Sequence, residues 1–125
     1  CVGPMSPEQR HHYDTVLAAQ QAGVDAMVAG AGTAQVDAAA RTVIADAGWA
    51  DSFTHGTGHG VGLDIHELPR VAKDVPDVYE LGMVATVEPG VYLKGNAGVR
   101  IEDTCVVTTS GAERLTGFPK DPEVL

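Results

Sequence analysis

Apolar positions along the chain change their spacing near the middle. Val16, Leu17, Val24, Met27 and Val28 recur at helical intervals and predict a helix running to Ala29. Ser6 is its expected N-cap, with Pro7 at the first helical position. Gly30-Ala31-Gly32 ends it, and Thr33 is placed to cap a second helix. That helix carries Val36, Ala39, Ala40, Val43, Ile44 and Ala47 as its apolar stripe and stops at Gly48. After Trp49 the helical period disappears. "MVATVE" (83–88) reads as a strand closed by Pro89-Gly90, and "GVRIEDTCVVT" (98–108) as another closed by Ser110-Gly111. "ERLT" (113–116) reads as a short third strand. This order predicts an α+β fold, two helices packed on one face of an antiparallel β-sheet.

Composition narrows the class of partner. The chain has 125 residues, one domain's worth or part of one, with 44% hydrophobic and only 5% aromatic residues, so an aliphatic core is expected. A formal net charge of −9 argues against nucleic acid and against an anionic membrane surface. No apolar run is long enough to cross a bilayer. Cys1 and Cys105 belong to no CxxC pair, so reduced thiols and a cytoplasmic setting are expected. The opening "CVGPMSPEQRHH" has neither a signal-peptide pattern nor an initiator methionine, so the chain is expected to be a piece of a longer one.

The richest chemistry lies in "FTHGTGHGVGLDIHE" (53–67), which holds His55, His59 and His66. Gly56, Gly58, Gly60 and Gly62 make a helix there unfavourable, by roughly 1 kcal/mol each relative to alanine. An extended segment fits better. In it, His55 and His59 share a face but lie roughly 13 Å apart, too far to bind one metal ion together. One is therefore assigned to metal and the other to substrate. His66 has the opposite parity, and a bend among Gly58–Gly62 would bring it back. The run matches no GxGxxG and no GxxxxGK[ST] loop. Its glycines suit close approach of a ligand or a strand.

Two carboxylates interrupt the predicted strands. Thr86 and Glu88 share one face; Arg100, Glu102 and Thr104 share another. If the strands pair, Glu88 and Glu102 converge, and two buried carboxylates need a proton, Arg100 or a metal cation between them. Histidine with carboxylates suits Mn, Co, Fe or Zn. Glycosidases also use paired carboxylates, but not the histidines.

"HGTGHGVGLDIHELP", "LGMVATVEPGVY" and "GVRIEDTCVVTTSGAERLT" together closely resemble the C-terminal half of the pita-bread metallopeptidases, best the prolidase/aminopeptidase P branch. The resemblance implies His59, Glu88 and Glu102 as metal ligands, with Glu102 bridging two divalent ions (Mn, Co or Zn). It implies Glu88 as acid/base for the nucleophilic water, His66 as donor to the tetrahedral intermediate, His55 near the substrate pocket and Arg100 as support for the carboxylates. The parent protein is then expected to hydrolyse the bond preceding proline in a peptide substrate.

Members of that family carry two more metal-binding aspartates upstream. Asp14, Asp25, Asp37 and Asp46 all fall in the predicted helices and match neither. Residues 1–125 are therefore expected to be a partial catalytic domain, with the N-terminal domain and first metal-binding strands absent. Alone it is expected to be inactive, to bind one metal ion or none, and to form a homo-oligomer through an unpaired sheet edge. The alternatives are a metal-depleted binding module, or a parent with methionine aminopeptidase-like or creatinase-like activity.

Overall fold

The computed structural model describes residues 3–122; Cys1 lies outside them. Helix α1 spans Pro7–Ala26 and α2 spans Thr33–Asp46. The first cap forms as expected. Ser6 Oγ accepts the Gln9 N–H at 3.2 Å, and the Gln9 side chain accepts the Ser6 N–H at 2.8 Å. α1 stops at Ala26, short of Ala29. The second cap is Gly32 rather than Thr33, because Gln35 reaches back to the Gly32 N–H at 3.1 Å while Thr33 turns into the core. Gly48, at φ +83°, stops α2 where expected.

Among the described residues, seven strands follow a single 3-10 turn at Ala50–Ser52: β1 Gly58–Gly60, β2 Glu67–Val71, β3 Val84–Val87, β4 Gly90–Leu93, β5 Ala97–Arg100, β6 Asp103–Thr108 and β7 Gly111–Arg114. A five-stranded sheet runs in the order β2-β1-β3-β6-β7, and β4 and β5 form a separate ribbon. Every pairing between these strands is antiparallel, as the sequence predicts.

Two strand boundaries differ from the sequence reading for one reason. Residues 98–108 do not form one strand, and Pro89-Gly90 does not close one. Instead β3 and β4 run on in the same direction, as do β5 and β6. Val87 faces Asp103 and Gly90 faces Arg100, so one register sets Glu88 and Pro89 opposite Glu102 and Ile101. The Ile101 N–H reaches the Pro89 carbonyl at 3.4 Å, but Pro89 has no N–H to return. The ladder opens there, and the chain passes from sheet to ribbon. The short third strand lies two residues earlier than expected.

Alternation decides which face does what. Ala85, Val87, Cys105 and Val107 point to the helices and pack with Val24, Met27 and Val36. A second cluster, Val16, Ala19, Ala40 and Ile44 with Phe53, Val91 and Ile101, packs beneath the ribbon. Both clusters are mainly aliphatic, as composition implied. Each fully buried valine or isoleucine stabilises the fold by about 1.5–3 kcal/mol. Burial holds the Cys105 thiol up at about 11, so it stays neutral and is no nucleophile.

The glycine run contains β1, an interior strand that β-propensity alone misses. A Cβ at Gly58 would overlap the Thr86 carbonyl, so the glycines admit a neighbouring strand rather than a ligand. Gly58→Ala should cost about 1–3 kcal/mol in urea unfolding, whereas Gly117→Ala, in open space, should stay within about 0.5 kcal/mol.

Candidate metal centre

The open face of the sheet gathers the chemistry. β1 pairs with β3 at Gly60 and Ala85, which sets His59 beside Thr86. Thr86 in turn faces Thr104 on β6. His59 and Glu88 are therefore diagonal neighbours across two strands, within reach of long side chains. Their atoms meet: His59 Nε2 lies 3.2 Å from Glu88 Oε1.

Backbone and hydroxyl bonds hold this pair. His59 Nδ1 lies 2.9 Å from the Gly60 carbonyl, which can only accept, so Nδ1 donates there and Nε2 is the nitrogen turned toward Glu88. The His59 N–H donates to Thr86 Oγ1 at 3.1 Å, and Thr86 Oγ1 donates to Glu88 Oε1 at 2.9 Å. The Glu88 N–H donates to the Thr57 carbonyl at 2.7 Å. Arg100 lies 3.8 Å from the other carboxylate oxygen, Oε2. Both His59 and Glu88 are mostly but not wholly buried.

The other predicted residues surround this centre. His55 precedes β1 in a bend rather than in extended strand. Its Nε2 lies 3.0 Å from the Tyr92 hydroxyl and 3.5 Å from Arg100. His66 does come back beside His59, with ring centroids 4.4 Å apart, but through a bend at residues 62–66 rather than among Gly58–Gly62, where β1 runs. His55, His59, His66, Glu88 and Arg100 share one open cleft of about 880 Å³. Glu102 lines the adjoining hollow with His59, Glu88 and Thr104. It is exposed, so the expectation of two buried carboxylates is corrected: Glu102 ends its strand pairing at the sheet-to-ribbon break and turns to water.

For a divalent cation, the donor set fits in part. An imidazole nitrogen beside a hydroxyl-held carboxylate is a suitable two-donor site. Among the described residues, no three His, Cys, Asp or Glu side chains stand together as a finished metal group.

The model of metallopeptidase family M24 matches residues 1–109. The chain belongs to metallopeptidase family M24. It is 46% identical over 115 residues to the Xaa-Pro dipeptidase of Pyrococcus furiosus, covering 92% of this chain and 33% of that protein. Among solved structures it is similar to the Xaa-Pro dipeptidase from Bacillus anthracis, with a TM-score of 0.96 and 44% identity over all of this chain and 35% of that one. It is likewise similar to the X-Pro aminopeptidase from Thermotoga maritima, with a TM-score of 0.95 and 35% identity over 99% of this chain and 35% of that one. The fold is thus that of the pita-bread peptidases. The chain spans about a third of the length of these relatives.

Sequence reasoning missed several supporting residues in this M24 chain. Thr86 shares the Glu88 face, which was the only signal of its role. Tyr92, against His55, follows the proline break that hid β4. Asp103 is wholly buried on the helix face, where it accepts Gln20 Nε2 at 2.9 Å, Arg114 Nε at 2.9 Å and Lys120 Nζ at 2.6 Å. An acid next to Glu102 but of opposite parity was legible as a core acid in need of partners. Asp103→Asn should destabilise the chain by about 3 kcal/mol, read as a lower urea midpoint, because two cations lose their shared anion.

Proposed function

We propose that these residues form part of the catalytic domain of an Xaa-Pro peptidase that uses divalent metal ions. The observation that carries this is the His59–Glu88 contact, with the imidazole proton held on Gly60 and the carboxylate held by Thr86. It joins a family of metallopeptidases to relatives described as Xaa-Pro dipeptidases.

In this reading His59, Glu88 and Glu102 hold metal, and the remaining donors come from sequence these 125 residues do not supply. When bound, divalent ions such as Mn, Co or Zn polarise the scissile carbonyl and acidify a water. Glu88 takes the proton of that water and passes it to the departing proline nitrogen. Arg100, 3.8 Å from Glu88, keeps the carboxylate oriented between these transfers. His66, beside His59, donates to the developing oxyanion. His55, held between Tyr92 and Phe53, contacts the substrate. A reducing cytoplasmic setting suits the free, buried Cys105.

A metal-depleted binding module is the second reading; its mark would be eroded ligands, whereas His55, His59, His66, Glu88 and Glu102 are all present here. Mn²⁺ binding by the full-length protein decides between them. With two or three donors available, the 125-residue chain alone is inactive. Leu63, Ile65 and Leu68 are strongly exposed on and beside the edge strand β2, which supports self-association as a homo-oligomer.

In the full-length protein Glu88→Gln should abolish turnover of an Xaa-Pro dipeptide with the fold intact by circular dichroism; retained turnover removes Glu88 from the chemistry. The 125-residue chain with added Mn²⁺ should show no turnover and should sediment as a dimer or larger. Robust hydrolysis, or a clean monomer, contradicts the respective statement.

A further inference from the structure

None of the roles above uses the ion pair between Asp37 and Arg41 on α2. Asp37 is 1% exposed, and so buried a carboxylate requires partners. Arg41 Nε donates to Oδ2 at 2.6 Å and a terminal nitrogen donates to Oδ1 at 3.2 Å. Thr57 adds two more bonds to Oδ1, from its N–H at 3.1 Å and its hydroxyl at 2.7 Å.

The guanidinium then reaches further. One terminal nitrogen donates to the Phe53 carbonyl at 3.0 Å and the other donates to the His55 carbonyl. Its carbon sits 4.1 Å from the centroid of the Phe53 ring. The pair therefore grips residues 53, 55 and 57 in the stretch that leads into β1. Each grip ends at the site. His55 is held by its own carbonyl. The Thr57 carbonyl accepts the Glu88 N–H at 2.7 Å, and two residues on His59 meets Thr86.

We propose that Asp37 and Arg41 are positioning residues that set His55 for substrate and hold His59 against Glu88 for metal. The inference rests on the peptidase reading. An ordinary i,i+4 pair on a helix surface orders little beyond itself. This one is buried on its acidic side and uses its spare donors on loop backbone. Only the planar five-donor fork of arginine reaches a carboxylate and two carbonyls together; lysine carries the charge without the fork.

The test uses the full-length protein as wild type, Arg41→Lys and Thr57→Val. It measures Mn²⁺ affinity by calorimetry, kcat and KM for an Xaa-Pro dipeptide, thermal unfolding, and hydrogen exchange at the Thr57 and Glu88 amides. Both variants should unfold cooperatively, bind Mn²⁺ about 10–100-fold more weakly, raise KM, and exchange the Glu88 amide faster. A purely structural pair would lower the unfolding temperature and leave Mn²⁺ affinity and KM of the folded protein unchanged, which overturns the proposal. Should Arg41→Lys fail to fold, Thr57→Val carries the test alone, and wild-type affinity and KM in that variant overturn it. Failure of the peptidase reading shows separately, as wild-type protein with neither Mn²⁺ binding nor turnover. In that case the amides decide: protection lost in the variants supports the grip on the loop, and protection retained refutes it.

Discussion

The 2.7 Å bond from the Glu88 N–H to the Thr57 carbonyl carries the architecture of the site. Glu88 stands one residue past the end of β3 and Thr57 one residue before β1, so this bond extends their pairing by a step before Pro89, which has no N–H to offer. On its other side, the same residue stands opposite Glu102, where β6 begins. Three strands thus meet at one position and then part. A carboxylate placed there sees β1, β6 and the ribbon at once. His59 from β1, Thr86 from β3 and Arg100 from the ribbon reach it.

One strand pair also separates two carboxylates by a single residue and gives them opposite tasks. Asp103 points into the helix face and is neutralised by Arg114 and Lys120, so with Gln20 it ties α1 and the segment after β7 to the sheet. Glu102 points to the open face and keeps its contact with water. Burying an unpaired acid is costly, so each side of the sheet had to solve its charge separately. The helix face solved it with basic side chains. The open face keeps Glu88, with Arg100 3.8 Å away, and the exposed Glu102, and a cation would be welcome there.

Much of this was legible beforehand, and the exceptions share a cause. Helices α1 and α2 announce themselves through period and caps, because their apolar stripes face one core. The parity of Glu88, Thr86, Glu102 and Thr104 was readable because alternation is a property of the strand alone. The glycine run was readable as a site of close approach, but not as an interior strand: β1 is defined by what its missing side chains let Thr86 and Leu68 do. The split at residues 101–102 depends on a proline in the partner strand, and no local pattern in 98–108 contains it. Thr33 looked like a cap because the competing Gln35 side chain acts from three residues away.

In the proposed peptidase, His59 Nε2 and Glu88 form one half of a divalent metal centre. The most direct measurement is anomalous diffraction from crystals of the full-length protein soaked in Mn²⁺. A manganese peak bonded to His59 Nε2 and to a Glu88 oxygen is expected, with Glu102 drawn in from solvent. A well-ordered cleft with no peak at this pair, or with manganese bound only elsewhere, would contradict it.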